Sequence, residues 1–286
     1  ARLLDRTGKG IRSAPRDALI ADVTPEADRG RAFGLQRALD HTGAILGPLI
    51  AAGLLALGFS LRGVFLFAII PTVLGVVLLL IGLREPEAKR VAAGVSLRGE
   101  PLPAGFRSAM IPIAFFYLAN SSDMFLLLQA HRAGVATSAI PLLWAANHAV
   151  KALLTTHAGA WSDRFGRRRL LIAGWLLYAL VYAIFPFARS IPAFLALLLV
   201  YALPFALTEG SERAWVAQSL SGTGRGKGFG VYYLVSGVCT LAGTALFGWL
   251  YQSVSPLAAF ATGAALAVVA AVAVGVVGGG RREVTT

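Results

Sequence analysis

Runs of about twenty apolar residues recur along the chain, and this feature restricts the fold more than any other. Eight hydrophobic segments cover residues 34–56, 64–83, 110–128, 140–160, 170–187, 191–209, 228–250 and 257–277. A helix of about twenty apolar residues crosses the ~30 Å hydrocarbon core of a bilayer. Apolar residues make up 57% of the chain and charged residues 14%, whereas soluble domains average about 45–50% and about 25%. The sequence therefore predicts an all-α, polytopic membrane protein.

Basic residues are distributed unevenly among the loops between these segments. The loops after the first, third and fifth segments contain one each, Arg62, Arg132 and Arg189, whereas the alternate loops and the tail contain most of the others. Such an excess of Lys and Arg is typical of cytoplasmic loops. We therefore expect a multi-pass protein of the inner (cytoplasmic) membrane, with the connection 84–109 and the C-terminus in the cytoplasm. The net charge of +12 then reflects topology, and we expect the lipid bilayer rather than nucleic acid as a partner.

Part of the chain is repeated at an offset of 196 residues. The pattern RGxxFG occurs at 29–34 and at 225–230, and Gly47 recurs as Gly243 in the same register. Parallel halves related by an axis along the membrane normal are the architecture of one large class of transporters. Residues 1–22 align with 197–218, which predicts that the polar opening segment is a helix facing a cavity. The counterpart of 110–128 would fall before residue 1, so we expect an incomplete first half with roughly 90–100 residues and three helices upstream.

A basic motif with two glycines begins at the end of the fourth segment and continues into the loop after it. Glycine permits a tight turn and a close approach of helices. Asp163 could face the positive N-terminus of a neighbouring helix, and the arginines could pair with carboxylates or lipid phosphates. We interpret the loop as a latch that stabilises one of two conformations, the alternative being a basic loop that only sets topology. The latch residues are Gly159, Asp163, Arg164, Gly166, Arg167 and Arg168.

Small residues recur along the first hydrophobic segment. Gly43, Gly47 and Ala51 are four residues apart, so they share one helix face and allow two backbones to touch. Pro48 interrupts the helical hydrogen bonds at that level. We therefore expect close packing at Gly43 and Gly47, the alternative being ordinary packing with no bearing on transport. Gly34 begins the pattern.

Three local patterns resemble signatures of the major facilitator superfamily. The latch is similar to the family's loop motif G-x-x-x-D-R-x-G-R-R. The pattern that begins at Gly34 is similar to the helix 5 motif of the family's proton-coupled exporters. Arg2, Gly8 and Gly10 match the helix 4 motif R-x-x-Q-G-x-G-x-G, whereas Asp5 and Arg6 depart from it.

The resemblance implies a fold of two parallel-repeat six-helix bundles, of which the first is incomplete. Residues 1–83 would be the remainder of the N-terminal bundle with helices 4–6, residues 84–109 a cytoplasmic linker, and residues 110–286 the C-terminal bundle with helices 7–12. Helices 1, 4, 7 and 10 of this family line a central cavity. Asp123, Glu209, Arg12 and Arg16 would therefore face it.

Charged residues inside the hydrophobic segments are the candidate proton and substrate pathway. A charge at the bilayer centre costs ~2.5–3.5 kcal/mol on insertion scales, so each one requires a reason. We expect Arg37 with Asp40, and Glu212 with Arg213, to form fixed ion pairs. Asp123 and Glu209 have no obvious counter-charge, which favours them as proton carriers. Asp123 ranks first, because Arg213, four residues after Glu209, could hold that carboxylate ionised. The full set is Arg12, Arg16, Asp17, Arg37, Asp40, Asp123, Glu209, Glu212 and Arg213.

The function we expect is secondary active transport. The resemblance implies proton-coupled export of small organic molecules or drugs by alternating access, in a monomer that uses the proton gradient as its energy source. A proton-coupled uptake symporter or a facilitator is the rival within transport, and a non-transporting membrane sensor or assembly partner is the rival of another class. The four histidines have no metal-ligand spacing and no catalytic motif is present. We therefore expect neither enzyme activity nor a metal or other cofactor.

Overall fold

The computed structural model describes residues 2–82, 101–136, 139–220 and 224–279, with the backbone alone at 2–11, 127, 278 and 279. These ranges contain α-helices, short 3-10 helices and no β-strand, which confirms the all-α prediction. The helices are α1 Arg2–Val23, α2 Arg29–Ala56, α3 Leu61–Phe67, α4 Ile69–Gly82, α5 Ala104–Ala119, α6 Met124–Arg132, α7 Ile140–Phe165, α8 Arg167–Ile184, α9 Ile191–Val200, α10 Ala202–Gln218, α11 Arg225–Ser253 and α12 Pro256–Gly279.

Seven helical stretches of the described chain are long and apolar enough to cross a membrane. They are Glu26–Ala56, Leu61–Gly82, Ala104–Leu126, Arg167–Phe187, Ile191–Gln218, Arg225–Ser253 and Pro256–Val277. The eighth predicted segment, 140–160, lies within the 26-residue helix α7. That helix is long enough to span, but Asn147, His148 and Lys151 lower its mean hydropathy. Its polar residues belong to the site described below.

One of these spans is interrupted at a polar cluster formed by residues 120–123, which are Asn120, Ser121, Ser122 and Asp123. Helix α5 ends at Ala119, Asn120 adopts φ −81° and ψ 85°, and α6 begins at Met124. The sequence predicted one spanning helix over 110–128, and the structure divides this segment between α5 and α6. Non-helical backbone at membrane depth occurs where it is buried in protein or lines a cavity, so the interruption marks a place where polar groups are tolerated.

The chain divides into two compact units, residues 1–41 with 102–286, and residues 42–101. In the first unit, α10 packs against α7 and α8, α12 against α5 and α8, and α11 against α1 and α5. Large aromatic side chains fill its core, among them Trp175, Tyr178, Tyr182 and Tyr201.

The second unit has no comparable core among its described residues. Neither α3 nor α4 has a buried residue, and their apolar side chains are exposed. Large exposed apolar surface marks an interaction with a membrane or another protein. Most of the expected linker 84–109 and the C-terminal tail lie outside the described residues.

Candidate functional site

Asp163, at the end of α7, binds the start of α2. Its Oδ1 accepts a hydrogen bond from the backbone N–H of Gly30, and its Oδ2 accepts one from that of Arg31, both at 2.9 Å. The first amides of a helix have no partner within the helix and carry partial positive charge. The carboxylate therefore satisfies two of these donors, in the position that the sequence predicted for it.

Arg167 extends this contact to α8 and α10. Gly166, at φ +99°, makes the turn between α7 and α8 in a conformation that favours glycine. Arg167 then pairs with Asp163 at 3.3 Å and with Glu26 at 3.8 Å, and donates to the carbonyl oxygen of Ala214 at 3.4 Å. It is 8% exposed. The latch thus joins the beginning of α2, the α7–α8 turn and the end of α10.

The other two latch arginines lie on either side of Gly166 and Arg167. Arg164 is exposed, with its guanidinium 5.4 Å from the ring centroid of Phe165. Arg168 is half-buried in the first turn of α8.

Glycines allow α2 to touch α7 and α10 along their backbones. A Cβ atom at Gly159 would lie 2.2 Å from the carbonyl oxygen of Gly30, and one at Gly34 would lie 2.5 Å from that of Thr155. A Cβ at Gly210 would lie 2.9 Å from the backbone nitrogen of Gly34. Because real Cβ atoms do not approach backbone so closely, any side chain at these positions would separate the helices.

The close packing expected at Gly43 and Gly47 is not observed. A Cβ atom at either position meets no heavy atom of the described residues within 4 Å. The reason is that α2 crosses α7 and α10 at Gly30 and Gly34, two or more turns earlier. Pro48 lies inside α2, which continues to Ala56.

Asp17 is the centre of a buried ion-pair network that joins α1, α10 and α11. Its Oδ1 lies 3.0 Å from Nε of Arg16, and its Oδ2 lies 3.3 Å from Nε of Arg213. The hydroxyl of Tyr233 donates to Oδ2 at 2.5 Å. The expected pair between Glu212 and Arg213 is wrong, because Arg213 pairs with Asp17 while the carboxylate of Glu212 accepts hydrogen bonds from two tyrosines.

The ion pair predicted between Arg37 and Asp40 is confirmed. Nη1 of Arg37 lies 3.3 Å from Oδ2 of Asp40, and Nη1 of Arg16 approaches the same oxygen at 3.8 Å. Asp40 is 46% exposed, so this link between α1 and α2 is far less buried than the one at Asp17. Arg12 is also exposed.

Two carboxylates accept hydrogen bonds from tyrosines and have no basic side chain within 4 Å among the described residues. Oε1 of Glu212 accepts from Tyr117 at 3.0 Å and from Tyr232 at 2.6 Å. Oδ1 of Asp123 accepts from Tyr201 at 2.8 Å. Glu212 is 3% exposed. Both carboxylates therefore have uncharged partners.

Glu209 has a histidine as its partner. Its Oε2 lies 3.0 Å from Nε2 of His41, and Nδ1 of His41 lies 3.0 Å from Nδ1 of His148. Arg213, four residues later, donates to the backbone oxygen of Glu209 and not to its carboxylate. Sequence reasoning assigned no role to either histidine, since they are 107 residues apart and no local pattern connects them.

Lys151 is a buried cation that the sequence showed inside a span but left without a role. Its Nζ lies 4.3 Å from the ring centroid of Phe205 and 5.8 Å from that of Tyr201. It interacts electrostatically with Asp123 and with His148. The folded chain thus supplies Asp123 with the basic neighbour that its own helix lacks.

Three further predicted residues lie in the part of α1 described by its backbone alone. Arg2, Gly8 and Gly10 are all within this helix. The residues that resemble the helix 4 motif are therefore helical, and their side-chain contacts lie outside the described part of the chain.

Comparison with known proteins relates the whole described chain to transporters. The sequence model of the Major Facilitator Superfamily matches residues 1–146 and 104–284. An MFS-type transporter of Methanocaldococcus jannaschii is 30% identical over 273 residues, which are 93% of this chain and 68% of the relative. A Mycobacterium tuberculosis protein is 27% identical over 264 residues, with 87% and 63% covered. Multidrug resistance protein 1 of Bacillus subtilis is 33% identical over 136 residues, with 44% and 33% covered.

The fold agrees with a solved structure. The crystal structure of the human organic anion transporter MFSD10 (TETRAN) matches with a TM-score of 0.75 at 18% identity, over 91% of this chain and 67% of that one. The chain therefore spans about two thirds of the length of the archaeal, mycobacterial and human proteins. On the family match, the archaeal relative and the shared fold, the chain belongs to the Major Facilitator Superfamily, whose members are membrane transporters and not enzymes.

Proposed function

We propose that the protein exports small organic molecules in exchange for protons, by alternating access between two helix bundles. The observation that carries this proposal is the difference among its membrane carboxylates. Asp17 and Asp40 are paired with arginines. Asp123 and Glu212 accept hydrogen bonds from tyrosines, and Glu209 contacts a histidine.

This difference separates structural carboxylates from candidate proton carriers. An ion-paired carboxylate must lose its partner's attraction to take up a proton, which is costly when the pair is buried. A carboxyl group beside a hydroxyl or an imidazole keeps a hydrogen-bond partner in both protonation states, because a hydroxyl donates and accepts and a neutral imidazole has one N–H group and one lone pair. Asp123, Glu212 and Glu209 are therefore the groups we propose to load and release protons, with Asp123 tested first.

The latch supplies an element with two conformations. Asp163 and Arg167 link the beginning of α2 to the α7–α8 turn and to α10 through a few hydrogen bonds and ion pairs. Such contacts form or break together when one packed element moves against another. A shift of protons in the membrane carboxylates would change the balance between the two conformations.

Export is supported by the helix 5 resemblance and by the likeness of part of the chain to Multidrug resistance protein 1. We propose a monomer in the inner membrane, with 84–109 and the C-terminal tail in the cytoplasm and the loops at Arg62, Arg132 and Arg189 outside. Proton-coupled uptake, facilitated diffusion and a non-transporting sensor are the competing functions that the experiments below distinguish.

Coupling is tested by flux measurements on the full-length protein in liposomes, with an imposed pH gradient and a fluorescent compound found by screening. Asp123→Asn should keep downhill exchange and lose uphill transport, because the amide keeps the shape but cannot carry a proton. Asp40→Asn is the matched control, since its carboxylate is already ion-paired, and it should transport uphill like wild type. Uphill accumulation by Asp123→Asn at the wild-type level would show that this residue does not couple transport to protons.

Direction and topology are tested in membranes of known orientation. Everted vesicles should accumulate the compound when their lumen is acidified, and right-side-out vesicles should extrude it; the reverse pattern identifies an uptake symporter. In a Cys239→Ala background, Arg189→Cys should react with an impermeant thiol reagent in intact cells and Arg98→Cys should not. Labelling of Arg98→Cys from outside contradicts the proposed orientation.

A further inference from the structure

Two histidines meet where α2, α7 and α10 come together. The Nδ1 atoms of His41 and His148 lie 3.0 Å apart, and Nε2 of His41 lies 3.0 Å from Oε2 of Glu209. His41 is 8% exposed. The three side chains form a row with His41 in the middle, so each of its ring nitrogens already has a partner. They do not converge on one point as the ligands of a metal ion do.

The distance between the two Nδ1 atoms limits how many protons the pair can hold. A neutral imidazole has one N–H group and one lone pair, whereas an imidazolium has two N–H groups. A contact of 3.0 Å between Nδ1 atoms therefore requires a hydrogen on one and a lone pair on the other. This arrangement exists when both rings are neutral or when one is charged. When both are charged, two N–H groups face each other and the contact must open.

The charged neighbours of the two rings differ in sign. The carboxylate of Glu209 lies 3.0 Å from Nε2 of His41, so an N–H at that nitrogen has an acceptor. Lys151 follows His148 by three residues on α7, so the basic neighbour belongs to the second ring. Asp123 interacts with both Glu209 and Lys151, so it belongs to the same electrostatic group.

Other charged groups close to the row have their own partners. Arg213 donates to the backbone oxygen of Glu209 at 2.7 Å and pairs with Asp17. Asp40, which precedes His41 on α2, pairs with Arg37. The carboxylate of Glu209 is therefore the negative group nearest to His41.

We propose that His41, His148 and Glu209 form a binding site for one proton, held on His41 between the carboxylate and the second imidazole. The site joins α2 to α7 and α10, the same helices that touch along their backbones at Gly34 and Gly210. Uptake of the first proton strengthens the link between His41 and Glu209, and uptake of a second proton opens the link between α2 and α7. Its part in transport rests on the proposed proton coupling, whereas the proton site itself does not.

Nitrogen NMR tests the site without any substrate. The full-length protein is labelled with 15N only in its histidines and measured in lipid bilayers. The printed chain has four histidines, and the exposed His131 and His157 serve as references. Single substitutions, His131→Gln and His157→Gln, assign their signals.

Wild-type protein should show a scalar coupling between the Nδ1 atoms of His41 and His148, transmitted across their hydrogen bond. Acidification should add about one proton to the pair while this coupling persists, and the coupling should vanish only in a second, separate step at lower pH. The exposed His131 and His157 should show no such coupling at any pH. Absence of the coupling at every pH, or independent titration of His41 and His148 like the references, overturns the proposal.

A variant separates the proton site from its role in transport. His148→Gln keeps a hydrogen-bonding side chain that does not titrate, so the second titration step should disappear. The pH of half-maximal uphill transport should shift by about one unit while downhill exchange persists. A coupled histidine pair in a protein whose uphill transport is insensitive to pH would refute the proposed proton coupling and leave the site intact. An unchanged pH profile in His148→Gln would refute its role in transport alone.

Discussion

Helices α2 and α11 begin with the two copies of the RGxxFG repeat. Close backbone contacts nevertheless occur near the beginning of α2 and further along α11. In α2, a Cβ atom at Gly30 would lie 2.4 Å from a backbone oxygen of α7, whereas one at Gly226 of α11 meets no heavy atom of the described residues within 4 Å. Further along, the relation reverses. A Cβ at Gly243 would lie 2.2 Å from the carbonyl oxygen of Leu118 on α5, whereas the position of its counterpart Gly47 is open.

The comparison shows that the repeat predicts where a helix is able to touch another, but not which helix it touches. The partners of the packed glycines are Gly159 of α7 and Leu118 of α5. Two copies of one sequence pattern therefore make their close contacts at different levels, Gly30 with α7 near the beginning of α2 and Gly243 with α5 in the middle of α11.

The largest effect is expected where α1 contacts the two helices. Arg16 of α1 approaches Asp40 of α2, and Asp17 of α1 accepts a hydrogen bond from Tyr233 of α11. Asp17→Asn should destabilise the protein by about 3–5 kcal/mol, because it leaves the buried charge of Arg213 without its partner. Asp40→Asn, on the α2 side, should cost about 0–1 kcal/mol, since the pair is partly exposed. Thermal unfolding in detergent, followed by circular dichroism, measures both. Equal losses would remove the distinction between a buried link to α10 and α11 and an exposed link to α2.

A smaller effect is expected at the repeated glycines. Gly30→Leu should cost about 1–3 kcal/mol or prevent folding, because the backbone of α7 leaves no room for a side chain. Gly226→Leu is the matched control and should cost less than about 0.5 kcal/mol, because no heavy atom of the described residues lies within 4 Å of a Cβ there. Thermal unfolding of the two variants beside wild type measures both losses, and equal losses would contradict the difference in packing between the two helix starts.

The smallest effect is expected at the helix starts. Asp163 binds the first amides of α2, whereas Arg225 at the start of α11 pairs with Asp22 of α1. Asp163→Asn should cost about 1 kcal/mol, because the amide lacks the negative charge that the helix N-terminus favours. Asp22→Asn should change stability by less than about 0.5 kcal/mol, since its side chain is 49% exposed. Urea titration monitored by tryptophan fluorescence compares the two, and an equal or greater loss in Asp22→Asn would assign the stabilising contact to α11.

The features predicted from the sequence are those whose cause is local. The spans follow from apolar runs, the pair of Arg37 with Asp40 follows from their spacing on one helix, and the position of Asp163 follows from its loop motif. The features that were missed depend on how helices cross. His41 with His148, and Glu212 with its two tyrosines, join residues whose separation along the chain carries no signal.

The interruption before Asp123 has a mechanical consequence. A continuous helix tilts as one rigid body, whereas two helices joined by non-helical residues can tilt separately. The neighbouring span Ile191–Gln218 is different, because Tyr201, between α9 and α10, keeps helical backbone angles (φ −60°, ψ −21°). The hydroxyl of Tyr201 donates to Asp123 at 2.8 Å, so the interrupted span is held to an uninterrupted one by a single hydrogen bond. We expect α6 to tilt about the interruption while α5 keeps its place, with this hydrogen bond limiting the movement.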